Sequence, residues 1–236
     1  MAGFSRRFLR IIGVFAVGLL LLQLGLIVSN LKFYLYDFRA FYIGAQLFQE
    51  GADPYDFDRL IFASRELGLS GNDHPFLYHP LMLYVYQPLV WLPFRVSALV
   101  WLAMLCLCLA AIGYLSVKLF RADPMVVLIL TAMGMNGTAA AALRAGQMSI
   151  PLTLLILLGA FMISRSRYAA AAVLLLAAAL PKLWPAPLIG LMVARLSWKG
   201  LIWACVALAG LAGLLLLGQW LQPANFERFS EVAQSF

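Results

Sequence analysis

Hydrophobic residues in this chain come in long blocks, and the polar ones are confined to the gaps between them. The blocks cover residues 8–30, 96–117, 124–142, 148–163, 168–182, 184–194 and 200–220. A helix needs about 20 apolar residues to cross a bilayer, and only helices and closed barrels satisfy all their backbone hydrogen bonds there. The pattern predicts an all-α fold, a polytopic transmembrane helical bundle. Several blocks are short for a full crossing, which suits broken helices lining a cavity. Residues 31–95 depart from the rule, mixing aromatic, acidic and turn-forming residues. They are predicted to form a long external loop after the first span. The expected division is 1–30 for the cytoplasmic N-terminus and first span, and 31–95 for the loop with juxtamembrane or re-entrant helices. A bundle of about six short spans follows over 96–220, then an external tail over 221–236.

Within the loop, Phe38 to Phe48 is helix-compatible, and Gly51-Ala-Asp-Pro-Tyr55 reads as a turn. There Pro54 presets φ, and the Asp53 side chain can bond the backbone beyond it. Residues 76–94 are dense in proline and aromatics, which argues against a straight span. Reading them as a crossing would invert every later loop, so they are expected to be an interfacial or re-entrant helix on the outer face. No internal repeat or soluble domain is visible.

Composition sharpens this. The chain is 64% hydrophobic and 11% charged, against about 25% charged residues in soluble domains. A soluble fold is excluded. The first block is too long for a signal-peptide core and is followed by no A-x-A-like cleavage site, so it is read as a retained span. The net charge of +7 is explained by position. Arg6/Arg7/Arg10, Lys118/Arg121, Arg165/Arg167 and Arg195/Lys199 each sit at the end of an apolar block, as the positive-inside rule describes for cytoplasmic loops. That assignment excludes a nucleic-acid partner and puts the N-terminus in the cytoplasm. Seven of the 10 acidic residues fall in 31–95, and only Asp123 lands inside. Cys106, Cys108 and Cys205 lie within apolar blocks without metal or disulfide spacing, and are read as packing residues.

Three polar sites meet on the predicted outer face: Asp37 after the first span, Arg144 to Gln147 between two spans, and Lys182 between two others. A carboxylate at a membrane helix mouth is costly to hold without a task. Each site has a plain structural reading beside the chemical one. Asp37 could be solvated at a helix end, Arg144 could serve lipid headgroups, Gln147 could cap a turn, and Lys182 could snorkel. Asp53 and Tyr55 read as turn-formers, His74 and His79 as interfacial, with His79 near enough to the membrane to touch a headgroup.

In order along the chain stand D-F-x-x-F-Y-x-G-A-x-x-L from Asp37, G-x-D-P-Y from Gly51, Y-x-P-L from Tyr78, Gly146-Gln147, and K-x-x-P from Lys182. This order resembles glycosyltransferase family 87, polyprenyl-phosphate-mannose-dependent mannosyltransferases of the GT-C membrane fold. The resemblance implies an inverting hexosyltransferase of the bacterial plasma membrane. Its donor would be a polyprenyl-phosphate sugar, most readily mannose, and its acceptor a glycolipid or glycan hydroxyl. Asp37 would be the catalytic base, Lys182 and Arg144 would hold the donor phosphate, and Gln147, Tyr78 and His79 would be substrate-binding. The chemistry is consistent with this. Such transfer needs a base for the acceptor proton and a cation for the departing phosphate, but no general acid. No metal and no cofactor are expected, because the paired acids that a hard cation wants are missing.

Two departures stand out. His79 occupies a position where the family usually has proline. Family members are also usually longer, so the resemblance implies a further C-terminal helical module. This leaves a fragment, half of a split enzyme with a partner membrane chain, or a degenerate homologue as readings. Rival functions are a polytopic transporter or lipid-handling protein, and a non-catalytic subunit. A transporter predicts charges at span centres and repeat-related halves, and neither is found.

Overall fold

The computed structural model describes residues 6–31, 33–69, 74–120, 123, 126–127, 138–182, 185–192 and 197–234. Among these the chain is helical, with no strand. Helix α1 (Arg6–Ser29) is followed by three shorter ones, α2 (Tyr36–Gln49), α3 (Phe57–Glu66) and α4 (Leu81–Val90). Then come α5 (Phe94–Phe120), α6 (Thr138–Ala145), α7 (Ser149–Ser164) and α8 (Tyr168–Ala179). A 3₁₀ helix (Ala186–Met192), α9 (Trp198–Leu221) and α10 (Pro223–Gln234) complete the order. The all-α expectation holds. Residues 124–125 and 128–137 of the block 124–142, and the basic residues Arg121 and Arg195, lie outside the described residues.

Among the described residues two helices, Phe94–Leu119 within α5 and Trp198–Leu221, are long and apolar enough to cross a membrane. Core helices of soluble proteins share that composition but are buried. Here only 28% of the apolar stretch of α5 and 22% of that of α9 is buried. Leu107 in α5 is 71% exposed, and Trp220 in α9 is 78% exposed. Apolar surface on this scale requires an apolar surrounding.

Residues 31–95 are not loop-like. α2 is buried nearly all round, through Phe38, Arg39, Phe41, Tyr42, Ile43 and Leu47. It is the centre of the larger core, packed on α4 through Met82, Leu83 and Tyr86. Phe41 stacks flat on Tyr86, with centroids 4.6 Å apart, and meets the Tyr78 ring edge-on at 4.8 Å. The G-x-D-P-Y turn behaves as its residues predict. Asp53 Oδ1 accepts from the Tyr55 backbone N–H, and the Tyr55 hydroxyl donates to the Tyr78 carbonyl. Helix α4, with Pro88 inside it, has 10 residues, about 15 Å, roughly half a bilayer core.

Helix directions bring the polar loops to one end. α7 leaves from Gln147, and α8 returns beside it to Lys182. α9 runs parallel to α8, because its start at Gly200 lies against Tyr168 and Met192, while Gly218 near its end lies against His79. Parallel neighbours need a return segment between them. The sequence predicts an apolar span over 184–194 for this, but the structure has a 3₁₀ helix of 7 residues there. Pro185 and Pro187 explain it, since each removes an N–H and blocks α-helical bonding. Arg165 and Arg167 sit in the turn between α7 and α8, and Lys199 at the start of α9, at the end opposite Asp37.

One contact joins the two halves of the larger core. α6 ends in a Schellman motif, in which Gly146 N–H bonds the Leu143 carbonyl and Gln147 N–H bonds the Ala142 carbonyl. Gly146 has φ 72°. A Cβ there would stand 2.9 Å from Phe38 Cβ and 3.2 Å from Leu35 Cδ2. Gly146→Ala combines a strained left-handed alanine with a clash against α2. We expect a loss of at least about 1–3 kcal/mol of stability, read as a lower melting temperature in detergent. Unchanged melting would show that the contact is dispensable.

Candidate active site

Asp37 owes its position to an unusual entry into α2. Leu35 precedes the helix at φ 59°, a left-handed conformation costly for a non-glycine residue. It is held there on both sides. Its N–H donates to the Arg144 carbonyl, and its own carbonyl accepts from Arg39 N–H. The buried Arg39 side chain donates to the Tyr34 carbonyl at 3.1 Å. The chain thus turns sharply and delivers Asp37 into the first turn of α2, where the helix dipole favours a carboxylate. Across the contact, Trp101 Nε1 donates to the Gly146 carbonyl at 2.9 Å. This fixes the turn that presents Gln147.

The Asp37 side chain is 14% exposed, and its Oδ1 lies 3.2 Å from His74 Nδ1. Gln147 donates a side-chain hydrogen bond to it, and Lys182 is near enough to act on its charge. Gln147 Oε1 accepts in turn from the Ser149 hydroxyl. Burial pushes the carboxyl above the usual range, and His74, Lys182 and Gln147 oppose that without cancelling it. The result is a more basic carboxylate than a solvated aspartate.

Asp37 opens onto a cavity of about 470 Å³. Its lining combines the polar side chains of Asp37, His74, Gln147 and Lys182 with apolar ones, among them Leu180, Pro181, Leu215 and Phe229. Lys182 Nζ stands 5.5 Å from the centre of the Tyr78 ring, a cation–π contact that keeps the ammonium at the cavity. Burial and the Asp37 charge hold the Tyr78 phenol protonated. Among the described residues no group of three or more His, Cys, Asp or Glu side chains converges, and Lys182 is the lysine that lines the cavity.

Of the six residues singled out from sequence, Asp37, Lys182, Gln147, Tyr78 and His79 line this one cavity. Arg144 does not. Its Nε and Nη2 donate to Gln23 Oε1 at 3.2 and 2.6 Å, tying α6 to α1. His79 is largely a packing residue. Its Nδ1 accepts from Leu81 N–H at the start of α4, and its ring meets Phe226 and Phe229 edge-on. The remaining edge fits a notch in α9 at Gly218, where a Cβ would collide with the imidazole. Burial lowers its pKa, outweighing the nearby Leu215 carbonyl, so it stays neutral. Sequence reasoning passed over two contributors. His74 was read as interfacial, yet it pairs with Asp37. The tail, expected only as an external segment, forms α10, whose Phe229 lines the cavity and whose Phe226 packs edge-on against His79. The three-residue spacing of Phe226, Phe229 and Val232 was the available signal.

The raised Asp37 pKa carries a stability consequence. A carboxyl raised on folding contributes its stability in full below its unfolded pKa, and loses it as pH rises through the folded value. Near neutral pH the ionised group is therefore a cost, and Asp37→Asn removes it. We expect Asp37→Asn to melt at or above the wild-type temperature at pH 7, with the advantage shrinking as pH falls through the carboxylate range. A clear fall in melting temperature at pH 7 would instead make Asp37 a structural residue.

The profile described as Glycosyltransferase family 87 matches residues 76–235, well over half of the 236-residue chain. The matched stretch carries Tyr78, His79, Gln147 and Lys182, whereas Asp37 and α2 precede it. No curated protein and no solved structure matches. The profile match covers more than half of the chain, and the chain belongs to glycosyltransferase family 87.

Proposed function

We propose that this glycosyltransferase is a polytopic, GT-C-like enzyme of the plasma membrane that transfers mannose from a polyprenyl-phosphate donor to a hydroxyl acceptor with inversion. The observation that carries the reading is one cavity whose lining combines the partly buried Asp37 carboxylate and the Lys182 side chain with apolar residues. A lipid phosphosugar likewise combines polar and apolar chemistry. In the reaction, the acceptor oxygen attacks the anomeric carbon while Asp37 takes its proton. The bond from that carbon to the phosphate oxygen breaks, with its electron pair going to the phosphate, and Lys182 holds the charge that develops. The loss of water from so small a cavity strengthens that attraction.

Gln147, Tyr78 and His79 border the donor in this reading, Gln147 and Tyr78 as polar contacts and His79 as part of the wall. Arg144 acts on the site only through the turn it supports. No metal is assigned, since the cavity wall carries one carboxylate and hard cations take several oxygen ligands. The exposed apolar faces of α5 and α9 would contact lipid or the helices of a partner membrane chain. Residues 31–95 and α10 would lie on the outer side, the N-terminus and the arginine turn inside. A glycolipid or glycan acceptor would then approach from the aqueous side. The basic turns opposite the cavity support that orientation.

Activity distinguishes the roles, measured in whatever complex supports transfer. Asp37→Asn should lower the rate by about two to four orders of magnitude while donor binding persists. Asp53→Asn, which keeps an acceptor for the Tyr55 N–H but loses the ion pair with Arg228, should cost some stability and little turnover. Lys182→Ala should weaken donor binding by roughly 1.5–3 kcal/mol. Near-normal transfer by Asp37→Asn would move the base elsewhere, and no effect from any of the three would make the chain a scaffold.

Orientation is checked separately. A reporter fused after Arg167 should read as cytoplasmic and one after Gln147 as external. Both on one side would end the single-outer-site reading.

A further inference from the structure

Asp37 has a partner that the transfer chemistry does not use. His74 Nδ1 lies 3.2 Å from Asp37 Oδ1, and the two side chains are 46% and 14% exposed. The His74 ring stacks on Tyr36, the residue preceding Asp37, with centroids 4.6 Å apart and planes at 30°. An ion pair this exposed contributes little to stability. The arrangement is nevertheless specific. The stack fixes the plane of the imidazole, and the plane fixes where its Nδ1 points. Asp37 and Tyr36 from α2, with Tyr78, His79 and Lys182 around the same cavity, are the titratable or charged groups among the described residues there.

We propose that His74 is the positioning residue for the Asp37 carboxylate. Its Nδ1–H anchors Oδ1, while the stack on Tyr36 anchors His74. The carboxylate then keeps one orientation, with lone pairs of the second oxygen left for the acceptor proton. A carboxylate free to rotate about its terminal torsion would spend much of its time misdirected, since that torsion has broad wells. Gln147, the other donor to Asp37, comes from the α6–α7 turn on a different element. Two donors on independent elements lock a carboxylate as one cannot. The geometry also makes the role independent of His74 charge, because Nδ1–H donates in the imidazolium and in the matching neutral tautomer alike.

This inference rests on Asp37 being the base, so the test uses one readout that needs no turnover. The carboxyl C=O stretch of Asp37, identified by its absence in Asp37→Asn, is followed against pH by infrared difference spectroscopy on the full chain in lipid. His74→Ala removes a donor that favours the ionised form, so the midpoint should move to higher pH. His74→Asn, whose amide N–H can occupy the Nδ1 position, should bring the midpoint back toward wild type. An unmoved midpoint in His74→Ala, or an Asn variant that behaves like Ala, overturns the proposal. A purely structural role would lower the melting temperature of both variants and leave the midpoint where it was.

The second readout is transfer from a short synthetic polyprenyl-phosphate mannose to an alkyl mannoside. His74→Ala should lower kcat by about tenfold to a hundredfold with donor KM unchanged, and His74→Asn should recover most of it. A normal kcat in His74→Ala also overturns the proposal. If wild type shows the spectroscopic behaviour but no transfer with these substrates, the donor reading fails and the positioning of Asp37 by His74 stands.

Discussion

The back-to-back contact of Leu35 and Gly146 is the constraint on which the rest of the structure depends. Both residues are left-handed, at φ 59° and 72°, and each makes room for the other. Gly146 has no Cβ to strike Phe38, and Leu35 turns the chain so that α2 starts directly over the α6–α7 turn. A left-handed leucine costs about 1–2 kcal/mol. The hydrogen bonds from Leu35 N–H to Arg144, from Arg39 to Tyr34, and from Trp101 to Gly146 offset that strain. So does the complete burial of Leu35 itself. Without this contact Asp37 and Gln147 would belong to unrelated loops.

Beneath that contact the packing supports the cavity onto which Asp37 opens. The aromatic cluster of Phe41, Phe76, Tyr86 and Trp101 forms a rigid floor. Tyr78 stands on that floor and holds Lys182, while Tyr55 fixes the Tyr78 backbone from the G-x-D-P-Y turn. From the other side, His79 wedges into α9 at Gly218, and α10 folds back over it through Phe226 and Phe229. Arg228 on α10 reaches Asp53 at 3.6 Å and ties the helix to the same turn. The motif residues that look scattered along the chain are thus one mechanical unit.

The electrostatics follow from that packing. Burial of Asp37 works against its ionisation, and the charges of His74 and Lys182 work for it. Burial wins, so the site stores a carboxylate that would gain by taking a proton. Such a group is a poor contributor to stability and a good base, the trade expected where function and stability compete. Lys182 eases the ionised carboxylate from within the same cavity lining.

The hydrophobic blocks by themselves determined an all-helical chain of long apolar segments, because a 20-residue apolar run has few other ways to satisfy its backbone. The motif order by itself marked Asp37, Tyr78, His79, Gln147 and Lys182, since polar residues between apolar blocks are conspicuous. The Asx turn at Asp53 was legible too, as it depends only on neighbouring residues. What sequence could not decide was everything requiring two distant segments to meet. Arg144 looks like a phosphate ligand until Gln23, 121 residues earlier, is seen to bind it. His74 looks interfacial until α2 places Asp37 and Tyr36 beside it. The 184–194 block reads as a span by hydropathy, although its prolines make a 3₁₀ return between parallel helices. Periodicity and composition report what a segment can bury. Which partner it buries against depends on directions and strained turns such as Leu35, and those exist only once the chain has closed on itself.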